Sequence, residues 1–376
     1  MTTGGEAGAV IATNSARRHH RDFHGPGCAW LAIMASPELG KTALFRFALF
    51  AFASALVYSA GAFTPTADQK MCATLPANAD VVAACNRIIE APSSSALDRA
   101  APYTFRADAA RTDGNTAAAI ADYSQALALM ATLVPALSGR GIAYRDAQNY
   151  DLSLHDFDQA IAIQPNNAEL YNSRGITYRM NGNSSQAMAD FNKAIKLEPD
   201  NAGFFNSRGN VYADIKQPDR AIADFTQAIK LDATYANAYF NRGFVEGADK
   251  TQLDKTIADF SKAIKLDPSM MDAYVSRAVA YVQKSNTAAA LADLNTAISG
   301  KPDSQRAYWY RGTIYLNAGD NRKAIADLTM AVQLDPKDAK ALFARGLAKR
   351  RNGDATGSDA DTAAAKALNP DVEKQM

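Results

Sequence analysis

The chain repeats itself every 34 residues, and that period limits its fold more than any other feature. Aligned on the small residue after a recurrent arginine, the frame runs Ala107, Gly141, Gly175, Gly209, Gly243, Ala278, Gly312 and Gly346, with one step of 35. Twelve residues on, or thirteen in the fifth repeat, stands a mostly small residue: Ala119, Ser153, Ala187, Ala221, Thr256, Ala290, Ala324 and Ser358. Four further on come Tyr123, Phe157, Phe191, Phe225, Phe260, Leu294 and Leu328, with Thr362 in the last repeat. Three beyond that, alanine occurs in all eight repeats, from Ala126 to Ala365. Proline closes most of them, at Pro165, Pro199, Pro268, Pro302, Pro336 and Pro370. A period of this length implies stacked helical or stranded units, each burying its face against a neighbour.

The period is helical. In "QAMADFNKAIKLEP" the apolar positions Ala187, Phe191, Ala194 and Ile195 recur at helix spacing and form a stripe that one helix cannot hide alone. Breakers separate paired segments, as in "RMNGNSS" and "IKQPDR", and separate repeats, as in "EPDN" and "DPKD". Small residues where two helices cross, an aromatic in the second helix and proline at its end resemble the tetratricopeptide repeat. The resemblance covers eight repeats over about residues 100–372. It implies an all-α fold, an α-solenoid of helix-turn-helix pairs wound into a right-handed superhelix with a concave groove.

Three departures from the frame carry expectations. The fifth repeat, "NRGFVEGADKTQLDKTI", has an extra residue, Glu246 where others have tyrosine, and Gly247, so a loosened helix junction and a bend are expected there. The segment "DVVAACNRII" reads as the second helix of a degenerate leading repeat, making residues 63–99 an N-terminal cap. The last helix, "ATGSDADTAAAKALN", exchanges bulky apolar residues for Thr and Ser, as a wet terminal face requires, and residues 373–376 form a tail.

Within a repeat numbered from seven residues before the small anchor, position 7 is always arginine and position 23 always aspartate. The pairs include Arg174 with Asp190, Arg208 with Asp224 and Arg311 with Asp327. Position 7 shares a helix face with aromatic residues three before and four after it, as Arg174 does with Tyr171 and Tyr178. A guanidinium that is partly buried needs a hydrogen-bonded counter-charge, so the arginines are read as internal struts. The competing role is a row of charges facing an acidic ligand. The step from Asp to the next Arg is always 18, whereas that from Arg to its own Asp varies, which leans toward bridging between repeats.

The family resemblance further implies that positions 2, 5, 9, 12 and 13 of each first helix line the groove. Repeats 2 to 4 place there Ser138, Arg145, Glu169, Asn172, Arg179, Asn206 and Asn210, a polar strip suited to a peptide backbone or carboxylate. Repeats 5 to 8 place Phe240, Phe244, Val275, Val279, Val282, Trp309, Leu316, Phe343 and Leu347, an apolar strip. The competing reading is that some of these, Val279 and Leu347 especially, pack on the next helix. The lysine and asparagine clamp that some family members use for carboxyl-terminal peptides is not reproduced.

The amino terminus reads as address, not fold. From Met34 the chain shows Lys41 and Arg46, an apolar run and the triplet Ala60, Gly61, Ala62, the layout of a secretory signal peptide over residues 34–62. Left uncleaved, residues 47–63 are just long enough to anchor the chain in an inner membrane. Met34 is the better initiator, which leaves residues 1–33 as an upstream extension, with His19, His20, His24 and Cys28 lacking a second ligand pair for a metal. An exported chain, periplasmic or secreted, then keeps Cys72 and Cys85, expected to form a disulfide, with a buried thiol at Cys85 as the alternative.

Charge and motifs narrow the function. With 40 basic and 39 acidic residues, net +1, nothing points to nucleic acid. After the leader only His155 remains, and no nucleophile, base and orienter converge, so no catalysis, cofactor or metal is expected. The expectation is a non-enzymatic scaffold that binds an extended peptide or partner helix in its groove. The alternative is a membrane-anchored structural envelope protein that uses its convex surface.

Overall fold

The computed structural model describes residues 65–74 and 79–375. The upstream extension, the signal peptide and the apolar run 47–63 lie outside them. Among the described residues 18 α-helices follow one another without a strand. They are α1 (Ala67–Cys72), α2 (Ala79–Glu90), α3 (Ala96–Thr112), α4 (Thr116–Leu129), α5 (Val134–Asp146), α6 (Tyr150–Ile163), α7 (Ala168–Met180), α8 (Ser184–Leu197) and α9 (Ala202–Asp214). The rest are α10 (Pro218–Leu231), α11 (Ala236–Glu246), α12 (Leu253–Leu266), α13 (Met271–Gln283), α14 (Thr287–Gly300), α15 (Gln305–Asn317), α16 (Asn321–Leu334), α17 (Ala339–Arg351) and α18 (Ala355–Leu368). The chain divides into two compact blocks between Pro199 and Asp200.

The N-terminal block holds the cap and repeats 1 to 3. Side-chain oxygens open its helices: Asn115 accepts from the Ala118 N–H and Asn167 from the Glu169 N–H. Ser95 and Asp98 form a capping box that starts α3 at Ala96, four residues ahead of the repeat frame. Gly175 shows why the anchor position stays small, since a Cβ there would lie 2.8 Å from Cε1 of Phe191. Phe191 and Phe157 are fully buried at these crossings, each contributing about 1.5–3 kcal/mol by area removed from water. First helices also touch first helices, α3 on α5 and α5 on α7, whereas no two second helices do so to that extent. The first helices therefore form the inner layer of the stack.

The cap is a helix pair covalently closed by the Cys72–Cys85 disulfide, whose Cα atoms are 4.8 Å apart. Both cysteines pack with Val81, Ala84, Ile88, Ala101 and Phe105, so the bridge sits inside a small core between α1, α2 and α3.

The C-terminal block holds repeats 4 to 8 and the same layering: α9 meets α11, α13 meets α15 and α15 meets α17. In the fifth repeat α11 stops at Glu246 after 11 residues, where its counterparts run for 13, and a 3-10 turn over Lys250–Gln252 precedes α12. That is the loosened junction the extra residue predicts. The last helix is less wet than expected, because the chain folds back and Val372, fully buried, packs with Leu342, Phe343 and Ala365. No helix among the described residues is long and apolar enough to cross a membrane.

Candidate functional site

The recurrent arginines are the most regular polar feature. Each donates from Nε and Nη2 to both carboxylate oxygens of the aspartate 16 residues on in its own repeat, or 17 on in the fifth, as Arg174 does to Asp190 at 2.8 and 2.7 Å. Arg311 holds Asp327 at 2.7 and 2.8 Å and Arg208 holds Asp224 at 2.8 Å twice. The varying step, not the constant one, is thus the paired one, because the two helices of a hairpin present positions 7 and 23 to each other. The planar fork fits a carboxylate with no strain, which lysine cannot do.

The constant step has its own meaning. The third corner of the guanidinium, Nη1, donates to a polar side chain 16 residues back, in the preceding repeat: Arg140 to Ser124, Arg174 to Asp158, Arg242 to Thr226, Arg277 to Ser261 and Arg311 to Asn295. In repeat 1 the cap supplies the acceptor, Asn86 Oδ1 at 2.6 Å from Arg106 Nη1. One residue type closes the hairpin and fastens it to its predecessor. Sequence reading missed this second acceptor, although the polar series two residues after each aspartate, Ser124, Asp158, Thr226, Ser261 and Asn295, was there to be seen. Flanking aromatic rings cover the guanidinium: Arg174 lies 5.6 Å from the Tyr171 centroid and 5.8 Å from that of Tyr178. The hydrogen bonds to the Asp190 carboxylate outweigh the opposing effect of burial and raise the pKa of Arg174.

The groove positions divide. Asn172 and Arg179 on α7, Asn210 on α9, Phe240 and Phe244 on α11 and Trp309 on α15 are half-buried. The Asn172 Oδ1 acceptor and the Trp309 Nε1 donor are buried without a hydrogen-bond partner. Phe240 rests on Phe260 of its own hairpin at 5.7 Å and on Phe244 at 6.3 Å, leaving part of its ring free. Trp309 meets Tyr310 edge-on at 4.7 Å.

Two expected groove residues are corrected. Asn206 is 7% exposed, and its Oδ1 accepts from Asn241 Nδ2 at 2.9 Å across the contact of α9 with α11. Phe343 is 4% exposed beneath Val372. Both occupy position 5, as do the buried Val275 and the half-buried Asn172, Phe240 and Trp309, and Leu316 at position 12 is buried as well. The position alone does not decide which side chains remain open: a neighbouring inner helix covers Asn206, and the returning chain at Val372 covers Phe343. His155 is exposed and lies 2.7 Å from Gln159, apart from any catalytic grouping.

Comparison with known proteins agrees with this architecture. Tetratricopeptide repeat profiles match residues 168–201 and, in overlapping segments, 249–307, 277–339 and 310–371, and a TPR repeat profile matches 141–182 and 209–246. No curated protein matches the chain in sequence. Among solved structures, a tetratricopeptide repeat protein from Parabacteroides merdae superposes with a TM-score of 0.51 at 18% identity, covering 66% of this chain and 98% of that one. A chain of the APC/C hetero-tetramer Cut9–Hcn1 gives 0.56 at 16% identity over 72% of this chain and 52% of that one. PilW, a type IV pilus biogenesis factor, gives 0.50 at 20% identity over 54% of this chain and 94% of that one. At these identities the likeness is one of fold.

Proposed function

The chain belongs to the tetratricopeptide repeat family, a protein-interaction scaffold by fold, and from that premise we propose that its inner helices bind an extended peptide segment of a protein partner. The observation that carries this reading is an orphaned group on an inner helix of each block, Asn172 Oδ1 in the N-terminal block and Trp309 Nε1 in the C-terminal block. A buried acceptor and a buried donor left unpaired each cost about 1–3 kcal/mol. A peptide backbone seated on one block can supply the complement there, an N–H for the asparagine of the N-terminal block or a carbonyl for the indole of the C-terminal block. In the C-terminal block Phe240 and Phe244 add aromatic surface of the kind that anchors partners and Asn210 adds a polar group, and in the N-terminal block Arg179 adds another.

The export reading is proposed with it. A disulfide at the core of the cap is supported best by an oxidising compartment, where such a bridge forms and persists.

Selection of a random peptide library on the full chain tests the binding face. Peptides recovered on the wild-type protein should bind at least tenfold more weakly to Phe240→Ala/Trp309→Ala or to Asn172→Ala. Undiminished binding to both variants would overturn the proposal.

A further inference from the structure

Position 12 carries arginine in all three repeats of the N-terminal block: Arg111, Arg145 and Arg179. Five residues upstream on the same helices, the position 7 arginines are saturated, as Arg140 is by Asp156 and Ser124. Arg145 is the opposite case. Its guanidinium makes no hydrogen bond among the described residues, its nearest carboxylate oxygen is that of Asp146 at 3.8 Å, and its side chain is only 15% exposed.

The surroundings do not relieve it. Burial, helped by the nearby charge of Arg111, pushes the pKa of Arg145 down against the pull of Asp146 and Tyr150. Arg111 is itself occupied: it is drawn toward Tyr123 and Asp108, and its Nε is buried with no hydrogen-bond partner. The Tyr123 hydroxyl in turn donates to Asp108 Oδ1 at 2.5 Å, which uses part of that carboxylate. A mostly buried guanidinium without a hydrogen-bonded counter-ion costs stability, and arginine cannot escape by losing its proton. Its donors make no hydrogen bond among the described residues and stay open to a group from outside the chain.

We propose that Arg145, with Arg111 beside it, receives a carboxylate from the peptide bound by the N-terminal block, so that this peptide carries an aspartate or glutamate. The proposal rests on the peptide-binding reading above and names the chemistry of one contact in it. A carboxylate matches the guanidinium fork and brings a single negative charge. A phosphate dianion would meet Asp108 and Asp146 as well, and their charge opposes it.

The test uses the full chain labelled with nitrogen-15 and follows the arginine Nε–H signals, that of Arg145 being identified by its loss in Arg145→Leu. Acetyl-Ala-Glu-Ala-Ala-amide at millimolar concentration should move the Arg145 signal, and the glutamine counterpart should not. Arg145→Leu should abolish glutamate selectivity while raising the melting temperature, because it removes an unpaired buried charge. An unmoved signal, an equal response to both peptides, or a response to inorganic phosphate alone would overturn the carboxylate assignment. So would a lower melting temperature in Arg145→Leu, which would make the side chain a structural element. Library peptides weakened by Asn172→Ala yet indifferent to Arg145→Leu would leave the binding face standing and remove this site. A glutamate response at Arg145 with no peptide selected would do the reverse.

Discussion

Arg140 closes on Asp156 through two hydrogen bonds of 2.7 Å, and the carboxylate so held is 1% exposed. Removing the aspartate leaves a guanidinium at the hairpin interface with nothing to accept from it except Ser124. Asp156→Ala is expected to destabilise the protein by about 3–5 kcal/mol, read from the shift of the urea midpoint of the unfolding curve. The double variant Arg140→Met/Asp156→Leu should recover most of that loss, since packed apolar groups replace buried ion pairs at little cost. In repeat 1 the same pair is wetter, with Asp122 14% exposed, and Asp122→Ala should cost less.

The turn inside each hairpin predicts a stabilising change. Position 15 adopts the left-handed region in seven repeats: as glycine at Gly114, Gly182, Gly319 and Gly353, and as another residue at Gln148, Lys216 and Ser285. Lys216 has φ 58°, a conformation that costs a residue with a Cβ about 1–2 kcal/mol. Glycine removes this strain but gives back about 0.5–1 kcal/mol of chain entropy. Lys216→Gly should therefore raise stability by about 0.5–1 kcal/mol, and calorimetry of Gln148→Gly/Lys216→Gly/Ser285→Gly should show the increments adding, as distant sites do.

Glu246 makes a pH prediction. It stands four residues after the strut arginine, where five of the other repeats have tyrosine, and its Oε2 is buried with no hydrogen-bond partner. Desolvation, then the nearby Asp259, raises its pKa above 4.5, with Arg242 and Lys255 opposing. A raised carboxyl pKa means the folded state prefers the protonated form. That stability is complete below the unfolded pKa and is lost as pH rises through the folded one. Glu246→Gln should melt higher than wild type at pH 7 and coincide with it near pH 4, as thermal scans at the two pH values would show.

Phe343 separates packing from recognition. Buried with Val372, Leu342 and Ala365, it behaves as core, so Phe343→Ala should cost about 3–5 kcal/mol in denaturation. Library peptides that depend on Phe240 and Trp309 should bind this variant unchanged at temperatures where it is folded.

The contrast between Phe343 and Trp309 shows where the sequence is legible. The 34-residue period, the crossing residues Gly175 and Phe191, the irregular fifth repeat and the Cys72–Cys85 bridge all follow from local pattern, because each repeat solves the same packing problem. What the period hides is contact between like helices of successive repeats. That contact buries Asn206, and the period hides equally the return of the chain that buries Phe343 under Val372 and the second acceptors that the strut arginines find on the second helix of the preceding repeat. Spacing arithmetic leaned toward pairing between repeats because it knew of only one acceptor; there are two, and the bidentate one lies within the hairpin. Arg174 at position 7 has an aspartate in register at position 23, whereas Arg145 at position 12 has none, and the structure leaves Arg145 with no closer carboxylate oxygen than that of Asp146 at 3.8 Å.

The cap offers the last prediction. The Cys72–Cys85 bridge spans 13 residues of sequence, a loop for which chain entropy gives about 3 kcal/mol of stabilisation. The cap's link to the array is narrow: the shared core with Ala101 and Phe105, and the hydrogen bond from Arg106 to Asn86. In a stack whose members contact chiefly their neighbours, loss at one end stays local unless the interface carries it inward. Cys72→Ala/Cys85→Ala should therefore lose hydrogen-exchange protection across α1 and α2 while α5 to α8 keep theirs. If protection falls through repeat 1 as well, the bridge supports the array's own nucleus, because the cap core is then what holds α3 in place.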